Sequence, residues 1–112
     1  PRIAPYLCAV LPLVSKDGIP ERAGELFSSL RAEFDVTYDG SGSIGRRYAR
    51  SDEVGIPYCV TIDYQTLEDS TVTIRNRDDS GQVRTSASQL PEALRKLMKG
   101  QIAFSAAGKS MK

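Results

Sequence analysis

Histidine is missing altogether from these 112 residues, and so is tryptophan. Without an imidazole there is no Ser-His-Asp triad, no histidine metal ligand and no side chain whose ordinary pKa falls between pH 5 and 8. Cysteine is scarce: Cys8 and Cys59 are the only 2, too few for the four Cys/His ligands of a structural zinc site. Both sit inside apolar runs, which reads as a pair of buried free thiols in a reducing compartment and not as a disulfide. No apolar stretch nears the ~20 residues of a membrane span, and no signal-peptide pattern opens the chain. The expectation is a soluble, cytoplasmic protein without a membrane partner, with use in mitochondria left open. Neither sign of charge is in excess: 15 Lys+Arg face 14 Asp+Glu, net +1. That removes a polybasic, histone-like reading of the whole chain while leaving local patches open. At 12.2 kDa the chain is one domain with a modest core. Pro1 opens it, as in an excised fragment or after trimming of a methionine.

What is present reads as an α/β protein. Leu7–Val14 is almost continuously apolar, the habit of a central strand covered on both faces, with Pro12 near its end. Pro20 suits the first turn of a helix whose inner stripe is Ala23, Leu26, Phe27, Leu30 and Phe34. Val36–Tyr38 is a short strand. Asp39–Gly42 is a turn, and Ser43 caps a helix from Ile44 to about Glu53. Tyr58–Ile62 is a third strand. Val72 and Ile74 alternate with Thr71, Thr73 and Arg75, a strand with one wet face. Asp78-Asp79-Ser80-Gly81 turns into a returning strand at Val83–Thr85. Leu90, Leu94, Leu97 and Met98 mark a last helix ending near Gly100. The order implies a three-layer, doubly wound core with helices on both faces and an appended hairpin. Residues 1–104 form the domain, and 105–112 read as a disordered tail.

Several groups of residues have chemistry to offer. Gly40-Ser41-Gly42-Ser43-Ile44-Gly45 matches a dinucleotide-binding fingerprint, with Asp63 about 20 residues on. It follows the second strand rather than the first, and the chain lacks a second mononucleotide half. A flexible turn, with Gly45 packed against the sheet, and a helix N-terminus offering N–H groups to a polymer's phosphate both remain open. Close packing at Gly45 would make Gly45→Val damaging to the fold. Arg46, Arg47 and Arg50 crowd the next helix around Tyr48. Arg46 and Arg50 share a face, with Arg47 about 100° away. Three guanidiniums at a positive helix end repel one another unless something negative sits there. Either Glu53 and Asp52 pair with them on a solvated face, or nucleic acid does. Arg75 and Arg77 project to one side of an extended segment with Asp78 beside them. A guanidinium donating to ring acceptors and a carboxylate accepting from the exocyclic amine would read an unstacked cytosine. Tyr64 could stack on the base. The acid pairs Glu68-Asp69, Asp78-Asp79 and Asp52-Glu53 fall in loops and helix ends, where carboxylates are solvated, so catalysis is not expected.

The run Ser41-Gly42-Ser43-Ile44-Gly45-Arg46-Arg47-Tyr48-Ala49-Arg50-Ser51-Asp52-Glu53-Val54-Gly55 resembles the signature of the C-terminal anticodon-binding domain of homodimeric glycyl-tRNA synthetases. Ile3-Ala4-Pro5-Tyr6, Val10–Leu13, Tyr58–Tyr64 and Thr71–Asp78 agree with it, so the resemblance spans residues 3–104. Prolyl-, threonyl- and histidyl-tRNA synthetases share the fold without this block. The accessory subunit of mitochondrial DNA polymerase is more distantly similar, and the alternative it implies for this chain is a protein-interaction or accessory module that has kept the fold and lost tRNA binding. The resemblance implies a mixed five-stranded sheet with three helices, and glycine tRNA as partner through its cytidine-containing anticodon. It implies Arg46, Tyr64 and Arg77 as base contacts, with Arg47, Arg50 and Arg75 positioning phosphates or holding the loop, and strongly salt-dependent binding. It places a catalytic domain, with its ATP and magnesium, upstream in the parent ligase, and no cofactor in this domain. Asn76 stands where Asp is usual, Asp79-Ser80-Gly81 replaces Ser-Met-x, and Tyr64 stands where Phe is common.

Overall fold

The apolar run at the front forms β1 (Cys8–Pro12), buried throughout, in a computed structural model that describes residues 6–111. Residues 1–5, with the Ile3-Ala4-Pro5 part of the resemblance, and Lys112 lie outside the described residues. Pro12 ends the strand, where its missing N–H costs no ladder bond. α1 (Ile19–Leu30) carries Pro20 in its first turn and buries Ile19, Ala23 and Leu30. The sequence stripe runs on to Phe34, but the helix closes at Leu30. A further turn, with the Phe34 amide donating to the Leu30 carbonyl at 2.9 Å, still delivers Phe34 to the core. β2 (Val36–Tyr38), α2 (Ile44–Glu53) and β3 (Tyr58–Ile62) follow where the sequence puts them.

A short helix absent from the sequence reading comes next, α3 (Tyr64–Asp69). Its cause is local. The Asp63 carboxylate accepts the Thr66 amide at 3.1 Å, and the Thr66 hydroxyl accepts the Asp63 amide at 3.0 Å. This reciprocal cap satisfies two donors that a helix start otherwise leaves open. Six residues are too few for an apolar period to show. β4 (Thr71–Asn76), β5 (Gln82–Ser86), α4 (Leu90–Met98), a 3-10 turn at Phe104–Ala106 and β6 (Lys109–Ser110) complete the order.

The strands lie as β2-β1-β3-β4-β5-β6. β1 pairs in parallel with β2 and β3, and every later pairing is antiparallel. The mixed α/β sheet is as expected, but it has six strands where five were implied, and the described residues form four helices where three were implied. The additional strand arises in the stretch read as a disordered tail, where Lys109 pairs with Arg84 and Ser110 with Val83. Gly108 permits the approach, since a Cβ there would stand 2.5 Å from the Arg84 carbonyl oxygen. A two-residue strand leaves no alternation for sequence reading to find.

Strand alternation sorts the side chains into two layers. Cys8, Val10, Val60, Ile62, Val72, Ile74 and Val83 pack under α1 and α4. Ala9, Leu11, Cys59 and Ile56 pack under Ile44 and Tyr48 of α2. In register, Ala9 faces Cys59, so Cys8 and Cys59 point to opposite faces and remain free and buried. Burial, followed by the neighbouring Cys59, pushes the Cys8 thiol up to about 12, which makes it inert.

Gly45 does not pack against the sheet. It is exposed, and a Cβ built on it meets nothing within 4 Å. The damage that close packing would cause on Gly45→Val is therefore not expected. Gly45→Ala should instead stabilise by about 0.5–1 kcal/mol, the usual handicap of glycine inside a helix, seen as a higher urea midpoint. A lower midpoint would place a neighbour where the structure has open space.

Candidate nucleic-acid interface

Ser43 begins α2, its hydroxyl accepting the Arg46 amide at 3.3 Å. The three arginines that follow take three different courses. Arg46 is exposed, and among the described residues its guanidinium has no carboxylate partner. Arg47 turns inward and is only 3% exposed. Its guanidinium donates to the carbonyls of Pro12, Leu13 (3.2 Å), Asp39 (3.3 Å) and Ser43 (3.4 Å). Arg50 folds over the glycine-rich turn, donating to Asp39 through Nε at 3.0 Å and Nη2 at 2.8 Å, and to the Ser41 carbonyl at 2.6 Å. Gly42 makes that turn with φ near 78°, a left-handed conformation that favours glycine. The negative groups awaited beside this helix are thus carbonyl oxygens and Asp39, not Glu53. The Ser41 amide already donates to Asp39 at 3.1 Å. A carboxylate seated in the turn is the wrong charge for a phosphate cradle.

A second cluster lies at the far end of α2. Arg75 donates to both oxygens of Asp52, at 3.0 and 3.2 Å, and to the Ser80 hydroxyl at 3.0 Å. Its guanidinium rests 4.6 Å from the centre of the Tyr48 ring, a cation–π contact. The Tyr48 hydroxyl shares a 3.0 Å hydrogen bond with Thr61. Arg77 donates through Nε to the Asp52 backbone carbonyl at 3.2 Å, and its side chain is 45% exposed with Asp78 3.7 Å away. Arg75 and Arg77 both reach Asp52, but not as one extended segment: β4 ends at Asn76 and Arg77 already lies in the turn.

Tyr64 is the first residue of α3, exposed at 43%. Its hydroxyl donates to Asp17 at 2.7 Å. Beside it, Asp63 caps the helix and pairs with Arg84 of β5. Sequence reasoning missed Arg84, although it alternates with Val83 and Thr85 and lies, opposite Thr73, on the same sheet face as Arg75. That face is not the wet one the alternation implied, since the Arg75 and Arg84 side chains are only 11% and 13% exposed. Burial would raise the Asp63 carboxyl, but Arg84 and the Thr66 amide outweigh it and hold the group below its usual range. Asp39 is also lowered: burial raises it, and the Ser41 amide and Arg50 more than compensate. Carboxyls depressed by folding stabilise above the unfolded-chain value of about 3.9, and that stabilisation is lost as pH falls through the folded value. Stability should therefore stay flat from about pH 5.5 to 7.5, there being no histidine, and decline below about pH 4. Asp63→Asn should flatten the acid limb in urea titrations across pH, and an unchanged limb would remove this pair from the account.

These residues do not gather at one spot. The Leu13 amide donates to the Ile62 carbonyl at 2.9 Å, so the end of β1, the start of α2 and Tyr64 share the carboxyl edge of the parallel strands. The Arg77 amide donates to the Pro57 carbonyl at 2.9 Å, which puts Arg77 and Asp78 at the opposite edge. The five residues of β3 between them run roughly 16 Å. Thr61, Thr73, Arg75 and Arg84 share the largely covered sheet face along that path. The paired acids are engaged locally, Asp69 with Thr71 at 2.6 Å and Asp79 with the Gly81 amide at 2.8 Å. Among the described residues no group of three or more His, Cys, Asp or Glu is placed to hold a metal, and no helix is long and apolar enough to cross a membrane.

The fold and these side chains define a three-layer α/β domain with arginines on α2 and at the end of β4 and a tyrosine opening α3. Residues 7–97 match the family described as "Anticodon binding domain", and the chain belongs to it. Among curated proteins it is similar to glycine–tRNA ligases. That of Methanothrix thermoacetophila is 50% identical over 117 aligned positions, covering 100% of this chain and 20% of the ligase. That of Thermococcus gammatolerans is 56% identical over 100 positions, 88% of this chain and 18% of the ligase. That of Borrelia hermsii is 52% identical over 90 positions, 80% of this chain and 20% of the ligase. The chain therefore spans about a fifth of the length of the relatives it matches.

Proposed function

We propose that this chain is the anticodon-reading part of a glycine–tRNA ligase, holding the anticodon stem-loop of glycine tRNA while a catalytic part of the same ligase uses ATP and magnesium to charge the acceptor end. Identity of about half to ligases named for glycine, over 100% of the chain in one case, carries the reading. The surface agrees with it. Arg46 and Arg77 expose guanidiniums that can donate to cytosine ring acceptors, Asp78 can accept from the exocyclic amine, and Tyr64 exposes a ring on which an unstacked base can lie. Arg47, Arg50 and Arg75 act behind them by holding the backbone and turn. Binding energy gathered here would serve charging by fixing the tRNA relative to the catalytic part, and cytoplasm is the expected location.

With Arg47 and Arg75 buried against the chain and Arg50 paired with Asp39 at the surface, few of these arginines remain for phosphates. A slope of log K against log salt of only about −2 is expected, from two or three single-strand phosphate contacts. Titrating the 112-residue chain with a glycine-tRNA anticodon stem-loop at two salt concentrations tests the reading. The natural loop should bind more tightly than one with both cytidines replaced, at either salt. Equal affinity would end the base-readout claim.

A further inference from the structure

The side chain that ties the two halves of this surface together contacts no base in the reading above. Asp52 lies in the last turn of α2. Its carboxylate grips Arg75 of β4 at 3.0 and 3.2 Å, while its own backbone carbonyl receives the Nε of Arg77 at 3.2 Å. The grip is rigid at its other end. Arg75 lies on the Tyr48 ring, one turn back on the same helix, and is anchored again by Ser80 in the β4–β5 turn at 3.0 Å. The Arg75 side chain is only 11% exposed, so water competes little for it. α2 is thus clamped to β4 at one point, and that point also seats Arg77.

We propose that Asp52 is a positioning residue for base readout: by clamping the end of α2 to Arg75 it fixes the carbonyl that orients Arg77, and with it the spacing between Arg77 and the exposed Arg46 on the same helix. A guanidinium restrained through Nε keeps its two terminal nitrogens in a fixed plane, the requirement for a paired contact with one base edge. Arg46 and Arg77 then stand at the two ends of a single rigid helix. The register they offer to successive bases is set by the protein before RNA arrives.

The inference rests on the proposed anticodon reading, and the sign of one effect separates it from a bystander role. Asp52→Asn removes a negative charge beside two arginines. If Asp52 were a bystander, the variant would bind RNA as tightly or more tightly, because the interface becomes more positive. Positioning predicts the reverse. Asp52→Asn should bind the two-cytidine stem-loop about tenfold more weakly and lose most of its preference over a loop with those cytidines replaced by uridines, the loss of one paired base contact. Its salt slope should not change, as no phosphate contact is lost. Arg75→Lys, which keeps the charge but not the two-pronged grip, should repeat the pattern and guards against a fold defect peculiar to Asp52→Asn, with circular dichroism confirming the fold of each. The double variant Asp52→Asn/Arg77→Ala should bind about as weakly as Arg77→Ala alone, as two changes on one path are not additive. Unchanged or tighter binding with preference intact, or full additivity with Arg77→Ala, overturns the positioning role alone. Failure of the unsubstituted chain to prefer cytidines overturns the anticodon reading, and this inference with it.

Discussion

Replacing Arg47 with alanine is expected to destabilise the domain by about 3 kcal/mol, the usual loss when a buried charged group's hydrogen bonds are removed and their partners left unsatisfied. The guanidinium is a strut between the end of β1, the Asp39 turn and the start of α2, reaching four backbone carbonyls from a side chain that is 3% exposed. Alanine cannot replace those donors, and the site is too enclosed for water to do so freely. The melting temperature should drop by roughly 12–24 °C for a domain of this size. Arg47→Lys should recover only part, because one ammonium cannot fan out to four acceptors. Should Arg47→Ala melt within a few degrees of the unsubstituted chain yet lose RNA affinity, the arginine would be a surface contact after all and its burial illusory.

Arg77→Ala is expected to do the opposite. Its side chain is 45% exposed and makes one bond to backbone, so the melting temperature should move by no more than a few degrees. Binding of the two-cytidine stem-loop should weaken about ten- to a hundredfold, the range for losing one paired base contact. The loss should fall on the natural loop and leave a cytidine-replaced loop almost unaffected, which distinguishes base contact from general positive charge. Equal weakening for both loops would reassign Arg77 to a phosphate. Together the two arginines test whether the surface divides into an internal frame and an outer reading set.

That division could not be read from sequence, for a physical reason. Helical spacing told correctly that Arg46 and Arg50 share a face and that Arg47 stands apart. It could not tell which way Arg47 turns, because an arginine's long stem reaches solvent or core with equal ease. The outcome depends on unpaired carbonyls at the end of β1, 34 and 35 residues away. Similarly, Asp52 and Glu53 were visible as acids at a helix end, but the choice of Arg75 over Arg50 as partner follows from the end of α2 coming within reach of the Arg75 side chain, a tertiary fact. What sequence carried well were the strongly periodic or continuously apolar elements: β1, α1, α4, and the alternation of β4, although its polar face is covered rather than wet, with Thr73 only 4% exposed. The Ser43 cap fixed the start of α2 to the residue. What it missed was short, namely the six residues of α3 and the two of β6. Arg84 was legible in principle, one step along an alternation already noticed in β4, yet its role depends on meeting Asp63 across the sheet.

Tyr64 is held at both ends. Its backbone opens α3 beneath the Asp63 cap, and its hydroxyl is bound to Asp17. A ring tethered through its hydroxyl has fewer orientations to surrender when a base settles on it, so more of the ordering cost of the contact falls on the RNA loop. In the proposed role the nucleotide would adapt to the protein, and a phenylalanine at this position, free of the tether, would offer the same face from a less settled ring.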